Sequence, residues 1–291
     1  MLSFHGGEPF YYVKHLTAIL TRVEHLLGKT MVFIQTNGSL VEENGSFFEQ
    51  FRHLKLIVSI SYDFAFQGVN RTSFDLMAAL QVLKRHSVKV QLQYVIPLED
   101  ATSMSLDVVR EIMKYTTASG LVSTVNLIPL RHIRGKDNFR LTLDNVDIPS
   151  MFYAMLKFIE VLYIMGVKVT VDGHGEGIHK NYFHDHKQLV LSPDGRVYPE
   201  YDFLEYKMTQ ASIGSWNGEG IILWEVDTSV LVPASCESCS QTNVCGLKYL
   251  FKAFDREPRP EKCEEFYKRL TLLTLHAQRI NQKKSLAHWV A

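Results

Sequence analysis

The sequence lacks several features that would have identified a nucleic-acid-binding, membrane or secreted protein. Lys plus Arg and Asp plus Glu number 31 each, so no net charge draws the chain to nucleic acid or to an acidic membrane surface. No apolar run reaches the ~18 residues of a membrane span, and the first residues lack the basic segment and apolar core of a signal peptide. We therefore expect a cytoplasmic protein with no nucleic-acid or membrane partner.

Cysteine is absent before Cys236, and the four cysteines that follow are closely grouped. They are Cys236, Cys239, Cys245 and Cys263, and the successive cysteines are separated by two, five and seventeen residues. Metal sites commonly cluster cysteines in this way in reducing compartments, whereas disulfide frameworks rarely do. Neighbouring thiolates two residues apart can converge on one centre, and the distant fourth closes it. Four thiolates suit a 4Fe-4S cluster or a structural zinc equally well.

Up to about residue 166 the chain alternates short apolar segments, which are typical of strands, with amphipathic segments, which are typical of helices. The clearest helix repeats an apolar residue every three or four positions and ends at Gly28; the repeat consists of Val13, Leu16, Leu20, Val23 and Leu27. Strands are predicted at 2–4, 31–34, 56–61, 88–95 and 122–128, with helices near 43–53, 73–86, 105–117 and 149–165. This order predicts a parallel sheet rolled into a full or partial barrel, with the chemistry in loops after the strands.

The pattern changes after residue 166. A strand is predicted at 167–171, a hairpin at 188–198 around Ser192-Pro193-Asp194-Gly195, and a helix from Glu261 onward. We therefore predict two domains, with residues 1–170 forming the barrel and residues 171–291 a smaller cysteine-containing domain.

Three segments carry a family resemblance. Phe4-His5-Gly6-Gly7-Glu8-Pro9 resembles the second-strand motif of radical S-adenosylmethionine (SAM) enzymes, Gln35-Thr36-Asn37-Gly38 their third strand, and Ser59-Ile60-Ser61-Tyr62-Asp63 their fourth. The resemblance implies an α/β fold, a partial (β/α)6 barrel with strands two to six. Taken singly, Gly-Gly before Glu-Pro could be a turn and helix start, and Asn37-Gly38 a type I′ turn.

The resemblance also implies residues that bind the cofactor S-adenosyl-L-methionine. Gly6, Gly7, Glu8 and Pro9 would hold its methionyl amino group, and Ser59 or Ser61 with Arg71 would contact its ribose and carboxylate. Arg71 could equally be a solvated surface charge. The resemblance assigns no catalytic residue.

The C-terminal region is similar to the SPASM or twitch extension of radical SAM enzymes, with two departures. Glu200 and Tyr249 occupy positions where the family has cysteines, and both missing cysteines belong to one auxiliary cluster. The resemblance therefore implies one auxiliary 4Fe-4S cluster, held by the four cysteines present. Glu200 or Asp202 could replace the base of the sulfatase-maturing branch, or both could be exposed loop carboxylates. The spacing of four histidines fits surface residues better than a zinc site; they are His174, His179, His184 and His186.

The implied function is modification of a peptide or protein side chain by a 5′-deoxyadenosyl radical, as in sulfatase maturation. The family needs three cysteines after its first barrel strand, and this sequence does not contain them. We therefore expect a truncated enzyme, a split gene or a remnant that is inactive alone, with the missing segment or a complementing chain as partner. The alternative is a non-catalytic peptide-binding or scaffold protein with structural zinc at the four cysteines.

Overall fold

The computed structural model describes most of the chain. It covers residues 1–64, 73–97, 101–117, 119–129, 132–134, 139–141, 146–171, 189–199, 203–204, 208–227, 231–240, 245, 248 and 258–290. The chain consists of two compact units. Unit 1 contains Met1–Ile133, Asn145–Gly173 and Leu273–Ala291, and unit 2 contains Arg134–Asp144 and His174–Leu272.

The centre of unit 1 is a parallel sheet of six strands. They are β1 (Leu2–Phe4), β2 (Met31–Thr36), β3 (Lys55–Ser61), β4 (Lys89–Ile96), β5 (Thr124–Pro129) and β8 (Val169–Val171). The strands lie side by side in chain order, and every neighbouring pair is parallel. The predicted α/β fold with a parallel sheet is confirmed. The sequence predicted the last strand but not its pairing with β5.

Helices connect the strands of this sheet, as parallel pairing requires. They are α1 (Val13–Leu27), α2 (Gly45–Gln50), α3 (Leu76–Arg85), α4 (Leu106–Tyr115) and α5 (Ile148–Ile164). Side chains fix where some of them begin: Asp75 Oδ1 accepts from the Ala78 amide at 3.1 Å at the start of α3. Such a cap satisfies a backbone donor that the helix itself leaves open.

The two faces of the sheet differ in chemistry because alternate residues of a strand point to opposite sides. One face is apolar and almost fully buried; on the three central strands it contains Leu56, Val58, Ile60, Val90, Leu92, Tyr94, Val125 and Leu127. The opposite face includes Ile57 and carries a group of hydroxyl and amide side chains: Ser59, Ser61, Gln91, Gln93, Thr124 and Asn126. Burial of the apolar residues at alternate positions on the first face stabilises the sheet.

Unit 2 contains a four-stranded antiparallel sheet. Its strands are β9 (Val190–Leu191), β10 (Arg196–Tyr198), β11 (Gly214–Trp216) and β12 (Ile221–Leu223), in the order β12-β11-β10-β9. The predicted hairpin is β9 with β10, and the turn between them has Gly195 at a φ of 83°. A small core surrounds Val197, Tyr198, Phe203 and Ile213.

Four further elements complete the described chain. β6 (His132–Arg134) and β7 (Phe139–Leu141) form a two-stranded sheet, α6 (Ala234–Glu237) is one short turn, and α7 (Pro260–Val290) is the long C-terminal helix. Within unit 1, Asn281 of α7 donates to the backbone oxygen of Val169 at 2.6 Å. In the part of the chain that the structure describes, no helix has the length and apolarity to cross a membrane.

Candidate functional site

The turn after β1 contains two consecutive glycines in the left-handed region. Gly6 has a φ of 91° and Gly7 a φ of 53°, values that other residues rarely adopt. A Cβ added at Gly7 would meet no atom within 4 Å, so the backbone conformation and not crowding favours glycine there. The two glycines turn the chain at the carboxyl end of β1 and lead directly to Glu8.

Glu8 is buried at this end of the sheet and links β1 to the end of β2. Its Oε1 accepts from the Thr36 hydroxyl at 2.7 Å and the Phe10 amide at 3.1 Å, and its Oε2 accepts from the Asn37 amide at 2.7 Å. The contact with Phe10 caps the 3-10 turn Pro9–Tyr12. A carboxylate has about four acceptor positions. Glu8 therefore has one left for a further donor, on Oε2.

Asn37 and Gly38 form a turn that leads away from β2. Asn37 Oδ1 accepts from the amide and the hydroxyl of Ser39, and the Gly38 amide donates to the Thr36 hydroxyl at 3.0 Å. A type I′ hairpin turn is excluded here because the strands on either side of it, β2 and β3, are parallel. The turn keeps Thr36 and the Asn37 amide directed at Glu8.

Ser59 and Ser61 both lie on the polar face of β3. Ser59 is fully buried, and its Oγ has no hydrogen-bond partner among the described residues. Ser61 Oγ donates to Gln93 Oε1 at 3.2 Å. Register places Ser59 beside Gln35 of β2, whose Oε1 is 2.9 Å from His5 Nδ1. Ser59 therefore continues the polar row that includes Gln35, and Ser61 lies in the next row along the same face.

The predicted site residue Arg71 lies outside the described residues, as do Glu200, Asp202 and the four histidines of the sequence analysis. Tyr62, which follows β3, is buried. Burial, with smaller contributions from Tyr115 and Glu111, raises the pKa of its phenol well above the usual value. The Tyr62 side chain is therefore a neutral hydroxyl at physiological pH.

Sequence reasoning missed the polar residues of β4, β5 and β8. Gln93 is opposite Ser61, Asn126 opposite Gln93, and Thr170 opposite Asn126. Polar residues alternate with apolar ones in Val90-Gln91-Leu92-Gln93 and Val125-Asn126-Leu127, and this alternation was the available signal. It indicates a second, polar face, but it does not reveal which residues of different strands meet.

The four cysteines all belong to unit 2. Three are buried, Cys239 is partly exposed, and no disulfide joins them. Burial raises the pKa of the Cys263 thiol to about 12, with the charges of the other three cysteines adding to the effect. Burial also lowers the pKa of Lys248, and the same three neighbours oppose that shift. The cysteines are therefore close enough to interact electrostatically.

The chemistry and the number of the four thiols match a four-thiolate metal site, but their positions do not form one among the described residues. Among the residues that the structure describes, no three His, Cys, Asp or Glu side chains are placed as metal ligands. Buried thiols that raise one another's pKa are costly to ionise unless a cation compensates. The four thiols fit a metal ion or an iron-sulfur cluster, and their sulfur atoms would have to move closer together when it binds.

Comparison with known proteins gives matches among solved structures. No protein-family model matches the chain, and no curated protein sequence does. The structure of anSMEcpe, an anaerobic sulfatase-maturing enzyme, with bound AdoMet and the Kp18Cys peptide is 18% identical, with a TM-score of 0.55 over 94% of this chain and 85% of that one. A histidine-tagged form of anSMEcpe with bound AdoMet is 18% identical, with a TM-score of 0.58 over 96% and 83%. At this identity the likeness shows the fold alone: an α/β architecture with a parallel sheet, similar to that of the anSMEcpe structures.

Proposed function

We propose that the chain binds SAM at the carboxyl end of its parallel sheet and serves in the radical modification of a peptide or protein side chain. The observation that carries the proposal is the geometry of Glu8. Three donors fix its carboxylate beside two glycines, and one acceptor position is left for an ammonium group. The fold shared with enzyme structures that hold AdoMet and a peptide supports the same interpretation.

Each predicted residue has a distinct task in this proposal. Glu8 accepts from the methionyl ammonium of SAM, and the turn of Gly6, Gly7 and Pro9 lets the backbone approach it closely. Ser59, whose buried hydroxyl lacks a partner among the described residues, donates to an oxygen of the ribose or carboxylate. Ser61 and Arg71 complete that set. When SAM is bound and reduced, it supplies a 5′-deoxyadenosyl radical that abstracts hydrogen from the substrate.

The cysteines have a separate role in the proposal. Cys236, Cys239, Cys245 and Cys263 hold an auxiliary 4Fe-4S cluster, which would relay an electron or stabilise unit 2. With four protein ligands it has no open iron position, so reduction of SAM requires three further cysteines from another segment or chain. β1 is the edge strand of the sheet and, among the described residues, pairs only with β2. Its other side is where we place a complementing strand.

The test of the SAM site is a comparison of two ligands with two forms of the chain. SAM and an analogue that lacks the α-amino group are titrated anaerobically into the wild type and Glu8→Gln. Wild type should prefer SAM by about 10- to 100-fold, the value of a charge-assisted hydrogen bond. Glu8→Gln should lose this preference, because the ammonium then has no carboxylate partner.

Glu42→Gln is the matched control because Glu42 is an exposed carboxylate in the segment that follows β2. It should bind both ligands as the wild type does. Circular dichroism and thermal unfolding should show that Glu8→Gln remains folded. A folded Glu8→Gln protein that still discriminates between the two ligands would show that Glu8 does not hold the ammonium group.

A further inference from the structure

The polar face of the sheet contains a continuous row of uncharged side chains across four neighbouring strands. The row consists of Ser61 on β3, Gln93 on β4, Asn126 on β5 and Thr170 on β8, each paired in register with the next. Gln93 is 8% exposed and Asn126 9%. Side chains paired in register on adjacent strands lie about 5 Å apart. The two carboxamides can therefore contact one bound group together.

Hydroxyl groups at both ends of the row donate to the amide oxygens, which leaves the amide NH2 groups as the available donors. Ser61 Oγ donates to Gln93 Oε1 at 3.2 Å, and Thr170 Oγ1 donates to Asn126 Oδ1 at 2.9 Å. Both amide oxygens thus already accept a hydrogen bond. Within the described part of the chain, no group accepts from Gln93 Nε2 or Asn126 Nδ2, although both residues are largely buried. Two amide NH2 groups remain as adjacent donors.

Neither amide nitrogen is among the fully buried side-chain atoms that lack a partner, so both are accessible to a bound group and can donate to an acceptor on it. The neighbouring row on the same face is also uncharged; it consists of Gln35, Ser59, Gln91 and Thr124. The SAM carboxylate proposed near Ser59 would have Arg71 as its cation, but no cation is proposed beside Gln93 and Asn126, so a second carboxylate there would lose hydration without compensation. A neutral carbonyl oxygen accepts from both amides without that penalty.

We propose that Gln93 and Asn126 bind a backbone carbonyl oxygen of the peptide substrate. This inference rests on the proposed function and adds the way in which the substrate is held. Because a backbone carbonyl is common to all peptides, the row positions the substrate without reading its side chains. Specificity for sequence must then come from other parts of the site.

The experiment uses the whole chain and an uncharged, capped, cysteine-centred peptide. The affinity for this peptide is measured with saturating SAM, and the affinity for SAM is measured separately. Gln93→Met and Asn126→Leu keep the side-chain volume but remove both donors. Each should weaken peptide binding about tenfold, the equivalent of one net hydrogen bond of ~1.4 kcal/mol, and should leave the affinity for SAM unchanged.

Gln91→Met is the matched control, on the same strand and the same face but in the other row. Its peptide affinity should equal that of the wild type. A second measurement does not depend on the folding of any variant. Thioamides, whose sulfur is a weaker acceptor than oxygen, replace the peptide carbonyls one at a time, and one position should weaken binding to the wild type but not to Gln93→Met.

The other outcomes separate this inference from the proposed function. Unchanged peptide affinity in both folded variants, or no thioamide-sensitive position, overturns the carbonyl site and leaves the SAM site standing. If the variants lose affinity for SAM and keep their affinity for the peptide, the row belongs to the cofactor site and the carbonyl site is overturned. A wild type that binds SAM but not the peptide also overturns the carbonyl site. A wild type that does not bind SAM overturns the proposed function and this inference with it.

Discussion

Gly38 illustrates how one residue fixes the geometry around Glu8. Its φ is 86°, and an added Cβ would be 2.5 Å from Phe74 Cζ and 2.8 Å from Ile60 Cγ2. Both the backbone and the packing therefore require glycine. The turn that Gly38 permits holds the Thr36 hydroxyl and the Asn37 amide in contact with the Glu8 carboxylate.

Gly38→Ala should lower the free energy of unfolding by about 3 kcal/mol. A left-handed backbone with a Cβ contributes roughly 1–2 kcal/mol, and overpacking roughly 1–3 kcal/mol. Urea denaturation measures the change. The control is Gly120→Ala, since Gly120 has a φ of 65° and nothing within 4 Å of an added Cβ. If both variants lose the same stability, crowding by Phe74 contributes nothing.

Residue types near the site could be predicted from the sequence, but their partners could not. Gly6, Gly7 and Glu8 were identified by their motif. The contact between Glu8 and Thr36 spans 28 residues of sequence and depends on how β1 and β2 align. Local sequence carries no information about that alignment, so the buried hydrogen bonds became visible only in the folded chain.

Element positions followed the sequence pattern closely because apolar spacing reflects burial. The first helix begins at Val13 and ends at Leu27, as the spacing of its apolar residues predicts. The strand predicted at 56–61 is observed at Lys55–Ser61. Pairing was less predictable, as β8 shows: its three residues alternate between apolar and polar but give no indication that β5 is their neighbour.

Helix α4 contains a carboxylate whose burial should make stability depend on pH. Burial raises the pKa of Glu111, and Lys114 only partly opposes the shift. The folded state therefore favours the protonated form of Glu111, and its stability falls as pH rises above the ordinary value of 4.5. Glu111→Gln should be more stable than the wild type at neutral pH, and the difference should vanish in acid.

Thermal unfolding at neutral and acidic pH measures this difference. Glu42→Gln serves again as the control, because an exposed side chain contributes little to stability at either pH. A Glu111→Gln protein less stable than the wild type at neutral pH would show that contacts of the carboxylate outweigh its burial.

On the scale of the whole molecule, the proposed chemistry is distributed over two units. Unit 1 contains the sheet with Glu8 and the polar row, and unit 2 contains all four cysteines. The alternation of strands and helices predicted the parallel sheet, whereas the two domains expected at residues 1–170 and 171–291 stay a prediction. The sequence did not predict that the long helix α7 is shared by both units. Its residues belong to unit 2 up to Leu272 and to unit 1 from Leu273.

The metal content of the whole chain tests the role of unit 2. After anaerobic preparation we expect about four iron and four sulfide per chain, with visible absorption. Replacing Cys236 or Cys263 by serine should remove most of the metal, whereas Ser238→Ala, an exposed change between two of the cysteines, should not. One zinc without visible absorption would favour the scaffold alternative instead. Metal that survives both cysteine substitutions would contradict any four-thiolate site.

The opposite chemistry of the two sheet faces constrains how this protein can change through evolution. Deleting a single residue early in β4 would turn Leu92 and Tyr94 toward the polar face and would turn Gln91 and Gln93 into the apolar core. Substitutions that keep the character of each face can therefore be tolerated within the central strands. Insertions and deletions are confined to the connections between the strands.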